Sequence, residues 1–278
     1  MLTAGTHWVY RDPTGFNWHL AGPMAGREGV TLMPGPKGLW GAPKDLIFTE
    51  GARQEGATYT GESVHRRVVD FEVDVHADTP HQFRRLNEQW LRAHQTREFG
   101  HLLTWAPMGN WMALRVRKGE VPVPKWPKDS SLICSQQYMM QWIAEKAYFE
   151  GPDETSLWQD KGGASTGKLC LRNPGHLPGW PRYIITGPGQ PFIQDGPGGP
   201  MIDLPKLDPG EIWRVDTYER KPTIVSSKRT NPWAYMRGRR FRRSIPPGRS
   251  VELNVSMRGG DRTNQILAVL TPRYDWFS

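Results

Sequence analysis

The texture of this chain breaks near residue 160, where a first half with one convincing helix gives way to short strand-like runs separated by Pro and Gly. Thirty Gly and 25 Pro impose many turns and favour a β-rich architecture. A chain of 278 residues is also at the size where a single core tends to split in two. The expectation is therefore a mainly β protein of two domains, residues 1–155 and 168–278, joined by a linker at 156–167. Hydrophobic residues make up 37% of the chain, with 13 Trp, enough apolar surface to offset the entropy of ordering it.

In the first half the cleanest signal is at 69–76, where Val69, Phe71, Val73 and Val75 alternate with Asp70, Glu72, Asp74 and His76. A period of two places the apolar set on one face and the charged set in water or against a partner. Asp78 or Thr79 can then cap a helix with Pro80 in its first turn, and Phe83, Leu86, Trp90 and Leu91 lay an apolar stripe along it. Gly100 is read as its stop. A hairpin follows, with strands at 101–105 and 111–117 and a turn at Pro107, Met108, Gly109 and Asn110. Met139, Met140, Ile143 and Ala147 suit a helix, but a strand is favoured over 138–149. Residues 35–61 are rich in Gly and polar side chains and read as a surface excursion.

In the second half, strands are expected at 169–172, 182–186, 212–217, 251–257 and 266–271. Val251, Leu253, Val255 and Met257 give the sharpest alternation, just after the turn Pro246, Pro247, Gly248. Such spacing predicts a β-sandwich of about 110 residues.

The formal charge is +8, with Arg well in excess of Lys. Such a balance attracts nucleic acid or acidic surfaces and also suits arginine-rich assembly contacts. Cys134 and Cys170 form no framework and read as free, buried thiols. No apolar run approaches the roughly 18 residues needed to span a bilayer, and the first residues lack the pattern of a signal peptide, so a soluble protein made in a cytoplasm is expected, without membrane insertion.

No catalytic constellation stands out. Gly162, Gly167 and Lys168 have the spacing of a phosphate-binding loop, but Leu169 stands where the magnesium-binding hydroxyl belongs, and a flexible linker is the better reading. His76, Asp78 and His81 lack a fourth metal ligand at a recognised spacing. Asp203, Asp208, Glu211, Asp216 and Glu219 offer carboxylates, but sequence gives no pairing distance. The sharpest charge cluster is Arg237, Arg239, Arg240, Arg242 and Arg243, around Phe241 and just after Trp233 and Tyr235. Guanidinium groups with aromatics could grip a nucleic-acid backbone and stack bases. A basic loop packed on an acidic neighbour in an assembly is the favoured reading, because no nucleic-acid-binding module surrounds the cluster.

The order of these motifs resembles the distal tail proteins of long-tailed, siphovirus-type bacteriophages, also known as minor tail proteins in phages of actinobacteria. In the first half the resemblance rests on Arg53, Gln54, Glu55 and Gly56, then the charged strand, the helix, and Pro107, Met108, Gly109 before Leu114, Arg115, Val116. In the second it rests on Asn173, Pro174, Gly175, on Trp180, Pro181, Ile184, on Gly187, Pro188, on Ile202, Leu204, Gly210, Glu211, and on Pro246, Pro247, Gly248. The resemblance implies an N-terminal ring-forming domain with one α-helix and a C-terminal galectin-like β-sandwich. It further implies a hexameric ring at the distal end of the virion tail that joins the tail tube to the tip or baseplate and serves as a hub for receptor-binding proteins. The tail tube protein, the tail tip protein and the tape measure protein are the implied partners, with no enzyme activity, cofactor or metal. Neither residues 35–61 nor the arginine run maps onto the family's motifs, so Arg237, Arg239, Arg240, Arg242 and Arg243 are interface candidates on charge alone. The rival reading is a carbohydrate-binding host-adhesion protein that stacks Trp180, Trp213 or Trp233 on sugar rings; fold alone does not separate the two.

Overall fold

The computed structural model describes residues 5–106, 109–125, 129–160 and 163–277. The chain divides into two compact units, Met1–Glu150 with Tyr274–Ser278, and Gly151–Arg273. Pro107 and Met108 of the expected hairpin turn, and Gly162 of the loop-like motif, lie outside the described residues.

The first unit is built on antiparallel strands β1 (His7–Arg11), β2 (Asn17–Ala21), β3 (Val30–Leu32), β4 (Lys44–Thr49), β5 (Thr58–Val64), β6 (Arg67–His76), β7 (Gly100–Trp105), β8 (Trp111–Lys118), β9 (Val123–Lys125), β10 (Ser135–Ala144) and β11 (Phe149–Glu150). Its large sheet runs in the order β2-β1-β7-β8-β10-β6-β3. The centre of that sheet follows from periodicity. In β6 and β10, Val73 opposes Tyr138, Phe71 opposes Met140 and Val69 opposes Trp142, all buried on one face. The alternation of Gln136, Tyr138, Met140, Trp142 and Ala144 therefore outweighs the helical spacing in the same segment.

Helix α1 (Pro80–Arg92) starts as its sequence predicts, with Thr79 Oγ1 accepting the Gln82 N–H and Pro80 in the first turn. It buries Phe83 and Trp90 in the sheet's core. It does not run to Gly100. The helix stops at Arg92, the Thr96 carbonyl that follows is taken by the Arg117 side chain, and Gly100 opens β7. Glycine is needed there because a Cβ would lie 2.4 Å from the Tyr10 ring. Tyr10 stands at the middle of an aromatic stack, with His94 at 4.7 Å and Trp142 at 4.9 Å between ring centres, and Phe71 is 3.9 Å from Trp142. Burial of the Phe71 side chain alone contributes roughly 1.5–3 kcal/mol. The C-terminal segment completes this core with Tyr274 and Phe277, a return across the whole chain that the sequence did not signal.

The second unit is a two-sheet sandwich. One sheet runs β12-β20-β14-β17-β18 and the other β13-β19-β15-β16. The strands are β12 (Glu154–Gln159), β13 (Gly163–Asn173), β14 (Arg182–Thr186), β15 (Gln190–Gln194), β16 (Met201–Asp203), β17 (Ile212–Asp216), β18 (Thr223–Ser226), β19 (Arg249–Gly260) and β20 (Gln265–Leu270). Both sheets feed one core: Leu169, Leu171, Leu253 and Val255 from one, and Tyr183, Ile185, Trp213 and Ile266 from the other.

Residues 156–167 are not a linker. They hold most of β12 and the start of β13, and the glycine that suggested flexibility has a packing reason. Gly167 pairs with Val255, and a Cβ on it would lie 2.2 Å from the Trp158 side chain. Instead of one helix there are three among the described residues, the other two being single turns, α2 (Ser130–Ile133) and α3 (Trp233–Met236). Both cysteines are free, but neither is buried: Cys134 is half-buried in a left-handed conformation at the end of α2, and Cys170 is exposed on β13.

Candidate assembly surfaces

The charged face of β6 is largely engaged within its own unit. Asp70 accepts the Gln141 Nε2–H at 2.9 Å, Glu72 pairs with Lys125 at 2.5 Å, and Asp74 accepts the Ser135 hydroxyl at 2.8 Å. The shallow cleft of about 300 Å³ beside it is lined by Asp70, Glu72, Glu120, Val121, Val123 and Met139.

A largely exposed element of the first unit is the ribbon of β4 and β5, which pair only with each other. All six residues of β4 are exposed, and Leu46, Ile47, Phe48 and Tyr59 are each at least half exposed. A two-stranded ribbon is at best marginally stable in water, and apolar side chains on one are unusual unless something covers them. The surface excursion read from residues 35–61 is thus an ordered apolar ribbon.

Beneath the ribbon's base lies a feature that sequence reasoning missed. Arg67 is wholly buried, and its guanidinium donates to the carbonyls of Ala147 at 2.7 Å, Leu39 at 2.9 Å, Gly38 at 3.1 Å and Asp275 at 2.6 Å. The Asp275 carboxylate is 3.7 Å away and also accepts the Ala42 N–H at 2.6 Å. Burial pulls Arg67 below the ordinary guanidinium value, against the opposing charge of Asp275. In the sequence Arg67 is only the first residue of a strand, and nothing local marks it.

In the second unit the five arginines separate into two groups. Arg239 forms an ion pair with Asp203 and donates its Nε–H to the Met236 carbonyl at 2.9 Å. The Arg243 head donates to the Gly198 carbonyl at 2.9 Å. The guanidinium groups of Arg237, Arg240 and Arg242 make no hydrogen bond or ion pair among the described residues, and all three side chains are exposed. The backbone under them is fixed by Asp195, a buried carboxylate that accepts the Arg242 N–H at 2.9 and 3.0 Å and the Arg243 N–H at 3.0 Å. Phe241 does not interleave with the arginines; it is buried, 5.3 Å from the Tyr183 ring. The net charge of the chain lies in this unit: residues 151–273 carry 19 Lys and Arg against 11 Asp and Glu, the remainder 17 against 17.

The other sequence candidates are structural or separate. Glu211 is buried; burial alone would raise its carboxyl, but the Asp208 N–H, the Ser226 and Trp213 donors and the Arg229 guanidinium outweigh that and hold it below the usual carboxylate range. His76, Asp78 and His81 are all exposed, and among the described residues no group of His, Cys, Asp or Glu could hold a metal ion. Trp213 cannot stack on a sugar, because it is fully buried with its Nε1–H donating to Glu211 at 2.7 Å. A cleft of about 450 Å³ on the outer face of β14, β17 and β18 is lined by Asp153, Arg182, Arg214, Asp216 and Val225, and none of Trp180, Trp213 and Trp233 borders it. No described helix is long and apolar enough to cross a membrane.

No family model matches this chain, and no curated protein sequence matches it. Its fold does match solved structures along nearly its full length. The crystal structure of the SPP1 Dit (gp 19.1) protein, described as a paradigm of hub adsorption apparatus in Gram-positive infecting phages, superposes with a TM-score of 0.63 at 11% identity, covering 97% of this chain and 99% of that one. A chain of the phage P2 baseplate in its activated conformation with Ca superposes with a TM-score of 0.55 at 8% identity, covering 98% and 100%. The same baseplate with Sr gives 0.55 at 7% identity, again covering 98% and 100%. The class defined here is a mainly β, two-unit fold shared with a phage Dit hub protein and with a chain of a phage baseplate.

Proposed function

We propose that this chain is a distal tail protein of a long-tailed, siphovirus-type phage, a structural hub at the tail tip. The observation that carries this reading is the match of both units, in order and over nearly the whole of each chain, to a Dit protein and to a baseplate chain. In this role six copies form a ring through the first unit, joining the tail tube to the tip or baseplate, with the tape measure protein as a neighbour. The second unit, a galectin-like sandwich, faces receptor-binding proteins. The chain is made in the host cytoplasm, ends up in the virion, and has no catalytic part; an actinobacterial host follows from the sequence resemblance.

The apolar ribbon supports self-association. Ring closure requires head-to-tail contact between unlike patches, with obligate interfaces of about 2,000 Å² or more, and Leu46, Ile47, Phe48 and Tyr59 present apolar area that an isolated chain leaves in water. Native mass spectrometry of the purified chain should give a hexamer. Monomer alone at every concentration would overturn the ring, and a label on this protein found away from the tail tip in micrographs of virions would overturn the location.

A further inference from the structure

The arginine loop of the second unit is a built surface, and its chemistry differs from that of the apolar ribbon. Between Glu219 and Glu252 the chain contains ten Lys and Arg and no acid. In a flexible loop such charges would spread apart in solvent. Here the loop is pinned from below: Met236, Phe241 and Ile245 are buried in the sandwich core, Asp195 holds the backbone at Arg242 and Arg243, and Asp203 holds Arg239. The side chains of Arg237, Arg240 and Arg242 are exposed, and their guanidinium groups make no hydrogen bond or ion pair among the described residues. Arg237 has a φ of 49°, the left-handed conformation that ends α3 and turns the chain into the loop. Just before them Trp233 and Tyr235 are 39% and 48% exposed, and Arg229 lies 4.7 Å from the Tyr235 ring centre.

We propose that Arg237, Arg240 and Arg242, with Trp233 and Tyr235, form a binding surface for single-stranded nucleic acid. Guanidinium groups bind phosphate oxygens in a fixed fork, which suits Arg over Lys, and exposed aromatic rings stack bases of any identity. Guanidinium groups without an ion pair beside exposed rings fit a ligand that carries both phosphates and bases. The surface does not depend on ring formation, since every residue in it belongs to one unit of one chain.

The test uses the full-length protein and a fluorescent oligothymidylate of about 20 nucleotides, titrated by anisotropy from about 50 to 200 mM salt. Binding should weaken steeply with salt. The variant Arg237→Gln/Arg240→Gln/Arg242→Gln should bind at least about tenfold more weakly and reduce the log–log salt slope by about 2, the amount expected for three lost phosphate contacts on a single strand. Its circular dichroism should match the parent, because these exposed heads make no hydrogen bond or ion pair among the described residues. Trp233→Ala should weaken binding with the salt slope unchanged. No binding at about 50 mM salt, a triple variant that binds as the parent does, or a Trp233→Ala variant of full affinity would each overturn the proposal. Polyglutamate binding as tightly as the oligonucleotide would overturn it in favour of an acidic protein partner.

Discussion

Arg67 and Asp275 stand 208 positions apart in the sequence, and the Arg67 guanidinium donates to the Asp275 carbonyl at 2.6 Å inside the first unit. The same head holds Gly38, Leu39 and Ala147, so one side chain ties three segments of backbone to the start of β6. Arg67→Ala should cost about 3–5 kcal/mol, because two buried and two part-buried carbonyls lose their donor and the Asp275 carboxylate loses its facing cation together. Arg67→Lys should recover only part of that, since an ammonium cannot reproduce the planar fork. Urea unfolding followed by Trp fluorescence measures both; an Arg67→Ala variant as stable as the parent would show that the network contributes nothing.

His94 makes the first unit sensitive to mild acid. It is fully buried, and burial pushes its imidazole from 6.5 down to about 4, the Trp90 carbonyl opposing only in part. The unfolded chain therefore binds a proton between pH 6.5 and 4 that the native state refuses, and stability falls as pH drops through that window, by an amount on the order of 3 kcal/mol. Thermal melts at pH 7, 5.5 and 4 should show this decline. His94→Phe should flatten it; an unchanged profile in that variant would assign the decline to other groups.

Glu211 acts at lower pH and with the same sign, since here too the native state favours the deprotonated form. Its native value lies below the ordinary 4.5, so the stability it lends is complete above that value and is lost as pH falls beneath it. Glu211→Gln removes the charge facing Arg229 and should destabilise by roughly 2–4 kcal/mol at pH 7, and by less at an acid pH where Glu211 is itself protonated. Differential scanning calorimetry at the two pH values separates these outcomes.

Two glycines are held by contacts rather than by turns. A Cβ on Gly100 would lie 2.4 Å from the Tyr10 ring, and one on Gly167 would lie 2.2 Å from the Trp158 side chain. Gly100→Ala and Gly167→Ala should each cost roughly 1–3 kcal/mol through displacement of a buried aromatic. Gly61, with open space around it, is the control: Gly61→Ala should change the melting temperature little, and equal losses at all three positions would refute the packing account.

The ribbon separates folding from assembly. Ile47 and Phe48 are 50% and 51% exposed, so Ile47→Glu/Phe48→Glu should leave the monomer's stability within about 0.5 kcal/mol. The same change should abolish self-association in sedimentation velocity. An undiminished oligomer would locate the contact elsewhere.

What the sequence determined by itself is local. The period of two across Val69, Phe71, Val73 and Val75 sets a strand with one buried face, Thr79 followed by Pro80 starts the helix, and the spaced alternations of the second half yield a sandwich, because each needs only neighbouring side chains and backbone geometry. Charge composition likewise marked Arg237, Arg239, Arg240, Arg242 and Arg243 as a cluster. Tertiary structure decided which of these arginines are used internally, since that depends on Asp195, Asp203 and Gly198, remote in sequence. It also decided that Trp213 is core, that Gly100 and Gly167 make room for rings rather than end a helix or loosen a linker, and that the C-terminal segment returns to Arg67. The physical reason is common to all of them: a buried polar group or a close contact is defined by a partner that folding brings to it, and no run of adjacent residues records which partner that is.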